Sequence, residues 1–194
     1  ITVEAYAWSW ALCYFLSEHP RHRTAFRKQI SELTQENSSR TQELPWSDWK
    51  PQDRAEWELF LEELDYGFDL NVWAINFTPL ATTYDKESLK FTIGPTTGWQ
   101  STGIDLKAGE TFRGEFSGEI AFEPRPTSWT STPSGISIRY ASGQPIGRLI
   151  ARQFIVDSPK SMRFGPLIPL GTLTTWEPEQ SGILFVRIND RWGD

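Results

Sequence analysis

The final stretch of the chain, GILFVRINDRWGD (residues 182–194), sets Asn189, Asp190 and Asp194 at the exit of an apolar run, with Gly193 between them. Carboxylate and amide oxygens on a loop at a strand end are what a hard cation takes. Calcium binds about 6–8 oxygens at about 2.3–2.6 Å, and such loops supply backbone carbonyls together with side chains. Gly193 allows the chain to curl round an ion. The same residue types also make plain turns, so the local pattern leaves a metal loop and a turn both open.

Other chemistry is sparse. The chain has no HExxH, no GxSxG and no phosphate-binding glycine loop. Its two histidines, His19 and His22, flank a proline in HPRH. Two histidines can start a zinc site, but this spacing is not a helical i, i+4 pair and no third ligand accompanies it. They read as a solvent-exposed turn at a helix end. Glu62 and Glu63 lie beside the core face of a helical stretch and read as solvated surface, not as an acid/base couple. The lone Cys13 excludes an internal disulfide, and its apolar surroundings make it a small buried hydrophobe.

Two regions with different periods must position these residues. Residues 3–66 follow three- and four-residue spacing. Val3, Tyr6, Ala7, Trp10 and Tyr14 form one stripe, with Leu12, Phe15 and Leu16 on other faces, which predicts a first helix buried nearly all round and ended by Pro20. Phe26, Ile30 and Leu33 mark a second helix. Trp57, Phe60, Leu61 and Leu64 mark a third, with Asp53 as its expected N-cap and Glu56 three residues on. From about Phe91 the period is two. In TFRGEFSGEIAF, Phe112, Phe116, Ile120 and Phe122 alternate with polar residues, and the turn signals KAGE, ASGQP, SPKS and EQSG separate further strand-like runs. The pattern predicts an α+β chain: a helical segment over 1–66, a connector over 67–90 whose aromatics pack, and an antiparallel β-sandwich or jelly roll over 91–194.

Ten Trp and twelve Phe predict large aromatic burial or aromatic binding faces. The net charge of −6 forms no basic stripe, which argues against nucleic acid or an anionic membrane as a partner. The apolar stretch AYAWSWALCYFL has about 12 residues, short of the roughly 20 that a membrane-spanning helix needs. It also lacks the basic leader and cleavage site of a signal peptide. The chain begins mid-pattern without an initiator Met and reads as a piece of a longer protein.

From GWQSTGIDLKAGETFRGEFSGEIAF through PIGRLIAR to GILFVRINDRWGD, residues 98–194 resemble the PA-IL type of bacterial galactose-binding lectin. The resemblance implies a small jelly-roll sandwich holding one calcium, with sugar hydroxyls coordinated to the metal. It places Asp190 on the family's carboxylate ligand, and Asp194 and Phe122 on positions that contribute backbone carbonyls. The family has two consecutive asparagines a few residues further on, and this chain stops before them. In the loop RPTSWTSTPSGISIRYASGQP the family's sugar-contacting His is missing and Gln144, its only Gln, sits in a turn. Galactose specificity therefore does not carry over. Trp129, Arg139 and Tyr140 are the residue types there that stack on and hydrogen-bond a sugar or another ligand, or that simply pack on the sandwich.

YAWSWALCYFLSEHPRHRTAFRKQISEL and WELFLEELDYGFDL resemble the C-terminal helices of secreted bacterial gluzincin-type metallopeptidase-like proteins, whose zinc motif lies upstream. That resemblance implies an extracellular or periplasmic setting and assigns no catalytic residue here. Three expectations follow. The first is a calcium-assisted carbohydrate-binding module, with Asn189, Asp190, Asp194 and Phe122 toward the metal and Trp129, Arg139 and Tyr140 toward a glycan. The second is a degenerate lectin fold with a structural or protein-interaction role. The third is the non-catalytic C-terminal part of a zinc metallopeptidase.

Overall fold

The computed structural model describes residues 2–35, 49–78, 90–122 and 129–191. Helices come first: α1 (Val3–Glu18), α2 (Arg23–Gln35), α3 (Pro51–Glu63) and the single turn α4 (Leu70–Trp73). Ten strands follow: β1 (Gln100–Leu106), β2 (Phe112–Glu115), β3 (Ile120–Phe122), β4 (Trp129–Ser131), β5 (Ser134–Ala141), β6 (Gln144–Ser158), β7 (Ser161–Phe164), β8 (Ile168–Pro169), β9 (Leu173–Trp176) and β10 (Gly182–Ile188). The chain is thus α+β, with helices before strands. Every strand pair is antiparallel.

The main sheet runs β1-β10-β6-β5, with β7 and β8 also paired to β6. The fifteen-residue β6 is its spine: its start pairs with β5, its middle with β8 and its end with β7, while β10 lies along its other edge. Two ribbons, β2-β9 and β3-β4, complete the strand set. The β5–β6 hairpin closes through Ser142 (φ 49°) and Gly143 (φ 72°). Two positive-φ residues are what a tight hairpin turn of matching twist requires, as the ASGQP signal predicts.

Strand alternation explains why β10 is apolar almost throughout. Ile183 and Phe185 point into one core, with Ile150 and Phe154 of β6 and the helical residues Phe15, Leu59 and Phe60. Leu184, Val186 and Ile188 point into a second core on the opposite face, with Leu149 and Ala151 of β6 and Phe112, Phe116 and Trp176 of the β2–β9 layer. A strand covered on both faces loses the one-face-polar pattern. The described part of the connector is core as well: Phe68, Leu70, Trp73, Ile75 and Phe77 are all buried.

Several expectations change. α1 is buried on one short face only, at Ala11, Phe15 and Leu16. Its first two turns are exposed, Val3 being 88% accessible, and so are Trp8, Trp10 and Cys13. Burial needs a partner as well as an apolar face, and among the described residues nothing covers that end. The N-cap of α3 is Lys50, not Asp53. Pro51 takes the first helical position, where its missing N–H costs nothing, and Asp53 reaches back to accept from the Lys50 N–H at 3.1 Å. The alternation over 111–122 breaks into β2 and β3, which belong to different ribbons.

Glu63 corrects the expectation of a solvated surface. Glu62 is 58% exposed at its side chain, but Glu63 is only 8% exposed and stands between α3 and the sheet. Its carboxylate accepts from Trp73 Nε1 (2.7 Å), Trp99 Nε1 (3.1 Å) and Arg187 Nη1 (3.0 Å). Arg187 and Arg152 lie 5.1 and 6.0 Å from the Trp99 ring centre. Burial pulls the Arg187 guanidinium below its usual value, and the Glu63 carboxylate opposes that pull.

Candidate functional site

The end of β10 is a corner where β10 meets β3, β4, β5 and β6. Asn189, the first residue beyond the strand, is fully buried. Its Nδ2 donates to the carbonyls of Ala141 (3.0 Å), Gln144 (2.9 Å) and Pro145 (2.9 Å), clipping the β5–β6 turn to the β10 exit. Its backbone N–H donates to Arg148 O at 2.8 Å, and its carbonyl accepts from Gly147 N at 2.7 Å. Its Oδ1 is buried with no hydrogen-bond partner among the described residues.

Gly147 joins the remaining pieces. Its φ is +78°, and a Cβ there would sit 2.3 Å from Ser131 Oγ and 3.0 Å from Phe122 Cε2. Only glycine lets β3 and β4 come this close to β6. Phe122 faces Trp129 across the β3–β4 ladder, and the Arg139 guanidinium lies 5.6 Å from the Trp129 ring centre. Arg191 donates to Tyr140 O at 3.3 Å, and the Tyr140 side chain is exposed. Asp190 Oδ1 accepts from the Arg191 N–H at 2.8 Å.

These contacts bring Asn189, Asp190, Phe122, Trp129, Arg139 and Tyr140 to one corner. Asp194 lies outside the described residues. A cleft of about 690 Å³ opens beside the corner, lined by Gly147, Leu149 and Ile188 together with Phe91, Phe116 and Glu119. A shallow groove of about 530 Å³ runs along Trp129, Gly135 and Ile138.

For a calcium ion the corner offers the Asp190 carboxylate and the unpartnered Oδ1 of Asn189, oxygens of the right hardness from adjacent residues. Among the described residues no group of three or more His, Cys, Asp or Glu side chains is placed to hold a metal ion. The fit to calcium is therefore partial.

The second polar centre was not legible in sequence. The HPRH turn is solvent-exposed only at Pro20 and Arg21: His22 is half-buried, and His19 is fully buried and bonds Glu56, itself fully buried, at 3.1 Å. Glu56 also accepts from Ile75 N at 2.7 Å and pairs with Arg21. No spacing rule links residues 19, 56 and 75, because three separate elements contribute them.

No family model, no curated protein and no solved structure matches this chain. Among the described residues no helix is long and apolar enough to cross a membrane.

Proposed function

We propose that the chain is a binding module, a lectin-like sandwich that takes a carbohydrate at the corner where β10 leaves the sheet, assisted by calcium. In this reading the main sheet and the β2–β9 layer are the two leaves of a jelly roll, and the module works outside the cytoplasm beside a peptidase-like region. The observation that carries it is the close approach of the β10 exit and of Ser131 and Phe122 to Gly147. Through it the Asn-Asp exit, the Phe122 backbone, the half-buried Trp129 and the exposed Arg139 and Tyr140 stand together. Asp190 and Asn189 Oδ1 would hold the ion, which would orient sugar hydroxyls. Trp129 and Tyr140 supply ring faces, and Arg139 supplies donors.

A specific observation favours the second reading, a lectin-like fold kept for packing or partner contact. The Asn189 amide is spent on three carbonyls, and Arg139 covers one face of Trp129.

Thermal unfolding with calcium and with chelator separates the two. A ligand that binds only the folded state stabilises it by about 2.7 kcal/mol at a hundred times Kd. Calcium should raise Tm in the native chain and in Glu62→Ala, and should fail to do so in Asp190→Ala. Titration with mono- and oligosaccharides, followed by tryptophan emission with Trp129→Phe as control, then tests the ligand. No calcium shift and no saccharide response would leave the second reading standing.

A further inference from the structure

The turn between α1 and α2 packs its two histidines against α3 and against each other. His22 is wedged among Phe15 (5.6 Å between ring centres), His19 (4.7 Å) and Trp49 (5.8 Å, near parallel). Its Nε2 is buried and has no hydrogen-bond partner among the described residues. The nearest carboxylate oxygen, Asp53 Oδ1, stands 3.7 Å away, beyond hydrogen-bond length. We propose that His22 is an acid-sensitive latch: neutral, it holds the α1–α2 turn against α3, and protonated, it releases that turn.

The charged groups around the ring make a proton unwelcome. From the turn itself, Arg21 presents a guanidinium that pairs with Glu56 and Asp53. From the end of α1, His19 accepts from the Arg21 N–H at Nδ1 (3.2 Å), which places its own proton on Nε2 toward Glu56. From α3, the Asp53 carboxylate is already shared: Oδ1 accepts from Arg21 and Oδ2 from the Lys50 N–H. Glu56 is committed to His19, Arg21 and Ile75 N. An imidazolium at His22 would therefore sit in an aromatic wedge beside Arg21, with no carboxylate held for it alone. To be solvated, the ring must leave the wedge, and Phe15 and Trp49 lose their packing with it.

Burial is the largest cause holding His22 below its ordinary value of 6.5, with the Arg21 guanidinium adding to it and Asp53 and Glu56 opposing. The unfolded chain binds the proton more readily than the folded one. The stability contributed by neutral His22 is thus full above about 6.5 and is lost as pH falls through the lower folded value.

The test follows Tm of the whole chain from about pH 7.5 to about pH 5.5, the range in which histidine titrates, for the native protein and for His22→Phe. The native protein should lose about 3 °C or more beyond the loss in the variant. Hydrogen exchange, corrected for its intrinsic pH dependence, should show amides of α1 and α2 losing protection before those of β6 and β10. The imidazole titration of His22 in the native protein, read by NMR, serves even where the variant folds poorly. A midpoint at or above about 6.5, or an equal fall in Tm with and without His22, would overturn the latch.

Discussion

Glu63 at the end of α3 and Arg187 in β10, 124 positions apart in sequence, form an ion pair of 3.0 Å with side chains only 8% and 5% exposed. The pair bolts the helical layer to the centre of the main sheet, and Trp73 and Trp99 donate to the same carboxylate. β10 carries Arg187 on one side and ends at the next residue, Ile188, so that Asn189 follows directly. The bolt therefore fixes the strand that delivers the candidate site.

Removing one partner of such a pair leaves the other buried and uncompensated, which costs about 3–5 kcal/mol. Glu63→Ala and Arg187→Met should each lower stability by about that amount. Glu63→Gln should cost less, because the amide oxygen still accepts from an indole N–H. Urea unfolding of the single and double variants would show a coupling energy well above zero; additive losses would mean the two side chains act separately.

Asn189 has a role independent of any ion. Asn189→Ala strands the carbonyls of Ala141, Gln144 and Pro145 and should cost about 1–3 kcal/mol in chelator. Asp190→Ala, at a half-buried position, should stay within about 0.5 kcal/mol under the same conditions. Urea midpoints measured with and without calcium separate the clip from the proposed metal ligand.

Gly147→Ala meets both a positive φ and a Cβ 2.3 Å from Ser131 Oγ. The backbone term alone is about 1–2 kcal/mol, and the contact adds to it. Stability should fall by at least about 1 kcal/mol. The β3–β4 ribbon, pushed off β6, should carry Phe122 and Trp129 away from Asn189. Calorimetry would give the loss, and the Trp129-dependent saccharide response would weaken along with it.

Cys13 is exposed on α1. In the folded protein it should react with an aromatic disulfide reagent at a rate close to that in denaturant. Cys13→Ser should change stability by no more than about 0.5 kcal/mol. A thiol that reacts only after unfolding would mean that α1 is covered on that face.

Much of this molecule is legible in short spans of sequence. Trp57, Phe60, Leu61 and Leu64 place α3. The SG dipeptide at 142–143 places the β5–β6 turn, and the apolar run of β10 ending in Asn-Asp marks the strand exit that the candidate site uses. Each of these is a local property: side-chain period, turn φ and strand termination follow from a few consecutive residues. The positions of Phe122, Trp129, Arg139 and Tyr140 were singled out through resemblance. Their meeting with Asn189 depends on Gly147, a residue that no local pattern distinguishes from other strand glycines.

The tertiary structure decided what each face meets. α1 has the composition of a buried helix, yet two of its turns lie in the open. Glu63 and His19 have the composition of surface, yet they sit in the core. Burial and pairing belong to residues brought together from distant elements, as Glu63 meets Arg187 and His19 meets Glu56, and a one-dimensional pattern records only one member of each pair. Sequence by itself determined that helices come first and antiparallel strands follow, because backbone preference acts within a turn or a strand. Only the packed structure determined which polar groups are enclosed, because desolvation and hydrogen bonding are settled by the partner across the interface.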